Sequence, residues 1–282
     1  MRVAVLGRGV VGGALVPALA DAGYEIDVFA TAASDGEAVS GGRADYSVKD
    51  IASFQPGQYT WVINAMPAGV VVEAPARGVL LDLSGSLGGR WWNDETPAPG
   101  EVVRLLSPAK TVALRVLQAL GTDRVLSADL TALSPVSRLG KSGVERLAKE
   151  TAKMLNGQGK DEGDIAFDLS VQTGSSDAIA ELAGLMPYQL SWGEVVVPTF
   201  HGMALRVTAL GNQNWGDDVV DRLTSVGFDV VDDLSLYAIQ QTPETKQVTG
   251  IITEGPRVSL TVGFDAITQM TQTVLELLDR PL

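Results

Sequence analysis

Three observations predict an α/β domain on a parallel sheet followed by an α+β domain. The first thirty residues read as strand, glycine turn, helix and strand. Short apolar runs with brief crossovers continue to Leu106, and from Val125 onward longer strands mix with amphipathic helices. With 282 residues, 45% of them hydrophobic, and a mean hydropathy of +0.16, the chain can bury two ordinary cores.

The first element is the short apolar run Val3, Val5 and Leu6, suited to a buried parallel strand. Gly7-x-Gly9-x-x-Gly12 follows at once and opens a helix through Ala14, Leu15, Ala18 and Leu19, which Gly23 closes. In such a Rossmann-like unit the first glycine permits the tight turn, the second lets a pyrophosphate approach the backbone, and the third lets helix and strand pack closely. The phosphates then lie at the helix N-terminus. Gly7, Arg8, Gly9, Val10, Val11 and Gly12 are therefore the expected dinucleotide contacts, with Arg8 either clamping a phosphate or filling its place. The second strand, Glu25 to Ala30, is followed by Thr31, Ala32, Ala33 and Ser34, which offer neither the acid nor the arginine that an adenosine ribose meets in such units. Asp27 is read as facing a turn or a strand face. A nicotinamide cofactor, NADP or NAD, is expected to be held weakly or to have been lost.

Ala32 to Ser53 is small and polar and reads as loops with short elements. Tyr59 to Ala65 resumes the sheet until Pro67, and Gly78 to Ser86 is a further buried strand running into a Ser/Gly loop. A parallel sheet would bring the loops at 7–12, 66–69 and 84–89 to one edge. The stretch 88–100 holds Arg90, Trp91 and Trp92 among prolines and acids and reads as a covering loop. Its tryptophans are either a lid or an anchor on the domain seam. Val102 to Leu106 is a strand, after which Ser107 suits an N-cap and Pro108 the first position of a helix to Leu120.

Beyond it, Leu126 to Leu133 reads as a longer strand. Val144, Leu147, Ala148, Thr151, Met154 and Leu155 then fall at helical spacing before Asn156-Gly157. Strands at 195–197, 205–210 and 258–262 and helices at 217–226 and 265–278 make this half a mostly antiparallel sheet backed by helices. Asp161 to Ser176, acidic and glycine-containing, reads as a partly mobile loop.

A formal charge of -13 and the lack of a basic cluster argue against nucleic acid or anionic membrane as partners. No apolar run reaches the roughly 18 to 20 residues of a membrane span, and residue 1 leads straight into a strand, so the expected location is cytoplasmic. There is no cysteine, which excludes disulfides, thiolate catalysis and cysteine-ligated metals, and His201 is the one histidine. No metal site is expected.

Several segments together resemble aspartate-semialdehyde dehydrogenases and, in particular, their cysteine-free USG-1-like members. They are Val5 to Gly12, Leu81 to Ser86, Ser107 to Thr111, Val136 to Gly143, Leu155 to Gly157 and Val197 to Gly202. The resemblance implies a nucleotide-binding domain at 1–107, with a C-terminal helix at 264–282 packing back on it, and a catalytic or dimerising α+β domain at 108–263. It implies a homodimer, and adds Ser84 to the cofactor contacts.

The same resemblance removes the family's chemistry. Its nucleophilic cysteine corresponds to Lys110, its glutamine falls near Ser134 and its general-base histidine corresponds to Met203. One substrate arginine falls at about Val196 and the other near Gly88, with Arg90 as a displaced substitute. A thioester route needs a nucleophile that is also a leaving group, and an acylated lysine would be a stable amide. His201 would stand in for the base only if an extended segment turned it to the face of Met203. The expected function is a non-catalytic homologue that binds a small anionic ligand or a protein partner. The alternative is an NAD(P)-dependent oxidoreductase or lyase that uses Lys110 as an acid or imine-forming amine.

Overall fold

The computed structural model describes residues 1–280, so residues 281–282 of the expected C-terminal helix lie outside the described residues. The chain divides into two compact units, residues 1–107 with 269–280, and residues 108–268.

The first unit is built on β1 (Arg2–Leu6), α1 (Val10–Asp21), β2 (Glu25–Ala30), β3 (Ala38–Ser40), β4 (Asp45–Asp50), β5 (Trp61–Asn64), β6 (Val79–Asp82), β7 (Arg90–Trp91) and β8 (Val102–Arg104). Its eight strands lie in the order β3-β4-β2-β1-β5-β6-β8-β7, parallel except where β3 meets β4. The chain first moves outward from β1 through β2 to β4, then crosses to β5 on the other side. That reversal of winding beside β1 is where an open α/β sheet forms its ligand crevice. Strands β1, β5 and β6 are buried almost throughout, as runs such as Val3 to Leu6 and Trp61 to Asn64 require.

Two stretches expected as loops are partly strand. Residues 45–50 form a full strand whose one fully buried residue is Val48, with Tyr46 half-buried against the same core. The stretch from Gly88 begins with β7 at the sheet edge. There Trp91 lies under the Arg104 guanidinium at 3.8 Å, and Trp92 packs on the core with Arg280 at 5.4 Å. Both tryptophans are thus fixed within the first unit.

Asp27 accepts hydrogen bonds from Arg2 Nη2 at 2.7 Å, Lys49 Nζ at 2.5 Å and the Tyr59 hydroxyl at 2.9 Å, so this acid is committed to the sheet surface rather than to a ligand. Burial works against the Asp27 carboxylate, but its bonds from Lys49, Tyr59 and Arg2 outweigh it and lower its pKa, while burial and Asp27 push Tyr59 up to about 12. A lowered carboxyl pKa contributes stability above the unfolded value of about 3.9 and loses it as pH falls through the folded value. Asp27→Asn is expected to cost about 1–2 kcal/mol at neutral pH, and less below pH 3, in urea titrations.

The second unit contains α2 (Pro108–Leu120), β9 (Val125–Pro135), α3 (Lys141–Leu155), β10 (Ser170–Thr173), α4 (Asp177–Ala183), β11 (Leu190–Val197), β12 (Met203–Gly211), α5 (Asp218–Ser225), β13 (Asp229–Val230), α6 (Leu236–Gln241), β14 (Lys246–Glu254) and β15 (Arg257–Phe264). Its strands run β10-β11-β9-β12-β15-β14-β13. Neighbours are antiparallel except for β11 with β9 and β13 with β14. The core gathers α2 through Val112, Val116 and Leu120 onto Leu130, Leu205, Val207 and Leu260.

The expected loop from Asp161 carries β10 and is tied to α3. Lys153 pairs with Asp161 at 2.5 Å, and the buried Glu150 accepts from the Ile165 and Ala166 N–H groups. Finally α7 (Ala266–Leu278) ends the described chain, and from Gln269 onward it belongs to the first unit, burying Met270, Val274, Leu277 and Leu278 in that core.

Candidate functional site

In the first unit Leu6, Asn64 and Asp82 are register partners across β1, β5 and β6, so the three loops that follow leave the sheet at one edge. Gly7 has φ +100°, and a Cβ there would stand 2.6 Å from the Ala65 carbonyl oxygen; one at Gly12 would stand 1.9 Å from the Gly7 oxygen. In both cases the added carbon would meet backbone, so neither position accepts a side chain. Gly9 differs, because a Cβ there would meet nothing within 4 Å. Gly9 also precedes α1, whose first turn has no side-chain cap and no acid. The first N–H groups of such a helix have no intrahelical partner, and the positive end of its dipole lies at this turn.

Arg8 projects from this turn to Glu37, with 2.5 Å between Nη2 and Oε2. The sequence reading missed Glu37, which lies seven residues past β2 in a Gly/Ser-rich stretch. The backbone holds it there: its N–H donates to Ser34 O, and its carbonyl accepts from Val48 N at 2.8 Å. Ser84 donates its hydroxyl to Asp82 Oδ1 at 2.6 Å and lies 2.7 Å from the Ser86 hydroxyl. The fully buried Asp82 also accepts from Asn64 Nδ2 and the Ser84 and Leu87 N–H groups. Ser84 thus shapes its loop and lies at the same sheet edge as the glycine turn.

In the second unit Lys110, in the first turn of α2, donates to the Ser175 carbonyl at 2.7 Å and stands 5.6 Å above the Trp192 ring. Burial lowers the Lys110 pKa, with Glu194 and Asp177 opposing it. Ser134, fully buried near the end of β9, donates to Glu194 Oε1 at 2.6 Å, and Arg138 Nε lies 2.9 Å from the same oxygen. Arg138 reaches on to Gln172. The cluster is a half-buried amine, an aromatic face, and a carboxylate already holding a hydroxyl and a guanidinium. It contains no nucleophile that could also depart. Glu194 gave no signal in the sequence, since a single acid within the strand Leu190 to Val197 has no local pattern to mark it.

No family model matches this chain. A USG-1 protein homolog from Azotobacter vinelandii is 31% identical over 199 residues, which cover 62% of this chain and 59% of that protein. The USG-1 protein homolog of Pseudomonas aeruginosa is 30% identical over 251 residues, covering 74% of this chain and 73% of the relative. The chain belongs to the family of these USG-1 protein homologs. Among solved structures, aspartate semialdehyde dehydrogenase II from Vibrio cholerae, complexed with ASA, matches with a TM-score of 0.85 at 17% identity, covering 100% of this chain and 99% of that one. The Francisella tularensis enzyme matches with a TM-score of 0.76 at 12% identity over 99% of this chain and 100% of that one. The fold is that of the dehydrogenases, an α/β Rossmann-like domain with an α+β domain.

In this USG-1-like chain the positions matched to the family's chemistry fall as follows. Lys110 is held by the Ser175 carbonyl, and Ser134 donates to Glu194, whose charge also acts on Lys110. Met203 is buried in the second core, and Val196 lies in a small apolar cluster with Val136, Leu147 and Ala166. His201 does not share a face with Met203. Gly202 between them has φ +79°, which breaks the extended run, and His201 is left exposed outside β12. The extended segment that a stand-in base at His201 would require is therefore absent. Arg90 is engaged with Glu101 at 3.3 Å and Asn93 at 2.8 Å. Among the described residues no group of three His, Cys, Asp or Glu is placed to hold a metal, and no helix is long and apolar enough to cross a membrane.

Proposed function

We propose that this USG-1-like chain binds a nicotinamide dinucleotide through the Gly7–Gly12 turn and forms no acyl phosphate, acting as a ligand-binding homodimer. The observation that carries this is the contrast within the turn: Gly7 and Gly12 are closed by backbone, while Gly9 opens onto free space at an uncapped helix start. That cradle fits a pyrophosphate, with Gly9, Val10 and Val11 supplying backbone and Arg8 a cation at the rim. Such a cofactor, when bound, supplies a hydride donor or acceptor. The chain's own residues supply binding and orientation, and at the position of the family's sulfur they offer only an ammonium held by Ser175.

Two measurements test the reading. Titration with NADH and with NADPH should quench tryptophan fluorescence saturably. Incubation with aspartate semialdehyde, phosphate and NADP should give no NADPH. Turnover in the second experiment overturns the loss of thioester chemistry, and flat titrations in the first overturn the dinucleotide site.

A second reading makes Lys110 a reactive amine for a carbonyl compound, favoured by the Trp192 face and by the burial that lowers its pKa. Borohydride trapping of a supplied aldehyde on Lys110, absent in Lys110→Ala, is the result it requires.

A further inference from the structure

Building on the dinucleotide reading of the Gly7–Gly12 turn, we infer that Glu37 makes this site select a dinucleotide with a free adenosine 2′-hydroxyl and reject one carrying a 2′-phosphate. The Arg8–Glu37 pair joins the phosphate-facing turn to the segment just past β2, the two sides between which the adenosine ribose of such a unit lies. Glu37 is held there by backbone. Its carbonyl accepts from Val48 N and the Gly36 N–H donates to Val48 O, and Val48 is the register partner of Val28 in β2. Its side chain is 46% exposed, so a ligand can reach the carboxylate.

The surrounding charges point the same way. Arg8 is the cation at the turn, and Glu37 already neutralises it at 2.5 Å. Asp35, two residues before Glu37, adds a second carboxylate, which accepts from Asp50 N. Lys49, on the neighbouring strand, is held by Asp27 at 2.5 Å. A carboxylate accepts well from two adjacent ribose hydroxyls, whereas a phosphate of roughly two negative charges would be repelled by Glu37 and would have to strip Arg8 from it. The pair is therefore a discriminator: it welcomes the diol and withholds the guanidinium from the phosphate.

The test is calorimetric titration of the whole protein with NADH and with NADPH. NADH is expected to bind about tenfold tighter or more. Glu37→Gln should raise NADPH affinity by about tenfold, since the released guanidinium can then meet the phosphate, and should weaken NADH a few-fold. Adding Arg8→Gln to Glu37→Gln should cancel the NADPH gain, which assigns it to Arg8. Both side chains lie at the surface, and thermal melting confirms that the variants fold. NADPH binding as tightly as NADH, or a Glu37→Gln chain with the parent's ratio, overturns the inference while leaving the dinucleotide site standing. Binding of neither dinucleotide overturns both.

Discussion

Gly12→Ala is expected to destabilise the first unit by about 3 kcal/mol or more and to abolish dinucleotide binding. The added methyl would lie 1.9 Å from the Gly7 carbonyl oxygen, a backbone atom that cannot swing aside as a flexible side chain could. Gly7 cannot yield, because its N–H is bonded to Phe29 O at 2.7 Å and its own Cβ position is blocked by Ala65. The informative control is Gly9→Ala. Its backbone, at φ -63° and ψ -167°, is open to any residue, and the new methyl meets no protein atom within 4 Å. That variant should melt with the parent yet bind NADH at least about tenfold more weakly, because the methyl occupies the space of the phosphate. Urea unfolding and calorimetric titration of both variants separate the two roles. A Gly12→Ala chain as stable as the parent would contradict the packing described for the turn.

Glu150→Ala is expected to cost about 2–3 kcal/mol in the second unit. The Glu150 carboxylate is 7% exposed and accepts from Arg146 Nε at 2.5 Å, Ile165 N at 2.6 Å and Ala166 N at 3.0 Å. Its removal leaves two backbone donors of the acidic loop without an acceptor. Burial works against the charged carboxyl, but the bonds from Arg146, Ala166 and Ile165 outweigh it and lower its pKa. The sign follows: the contribution is full above the unfolded value of about 4.3 and is lost as pH falls through the lower folded value. The stability gap between the parent and Glu150→Ala, measured by urea unfolding, should therefore be constant from pH 6 to 8 and narrow toward pH 3. A gap that widens in acid would mean the carboxylate is not held by these donors.

The main architecture was legible because the buried strands of the first unit are nearly unbroken apolar runs and the helix α3 repeats its apolar residues at a helical period. Strand β4 escaped because only Val48 and the half-buried Tyr46 meet the core, so its period-two signal is two residues long. Strand β10 escaped because it sits at an edge with little buried, in a segment whose acids and glycines read as loop. At the candidate sites, the glycine turn was readable since its three constraints are local. Glu37 and Glu194 were not, because each gains its meaning from partners far away in the chain: Arg8 for one, Ser134 and Arg138 for the other. His201 is the opposite case, a role open only if residues 201–203 ran extended. Its spacing from Met203 suited a shared face, and the left-handed glycine between them removed it.

The closing helix α7 completes a core begun at the other end of the sequence, since Met270, Val274, Leu277 and Leu278 pack with Val3, Leu15 and Val28. During synthesis, the sheet of the first unit must therefore wait, its apolar face uncovered, while the intervening residues 108–268 are made. Loss of residues 269–280 would leave the first unit's core uncovered and prone to aggregation, and limited proteolysis of the shortened chain would register this as lost protection of residues 1–107.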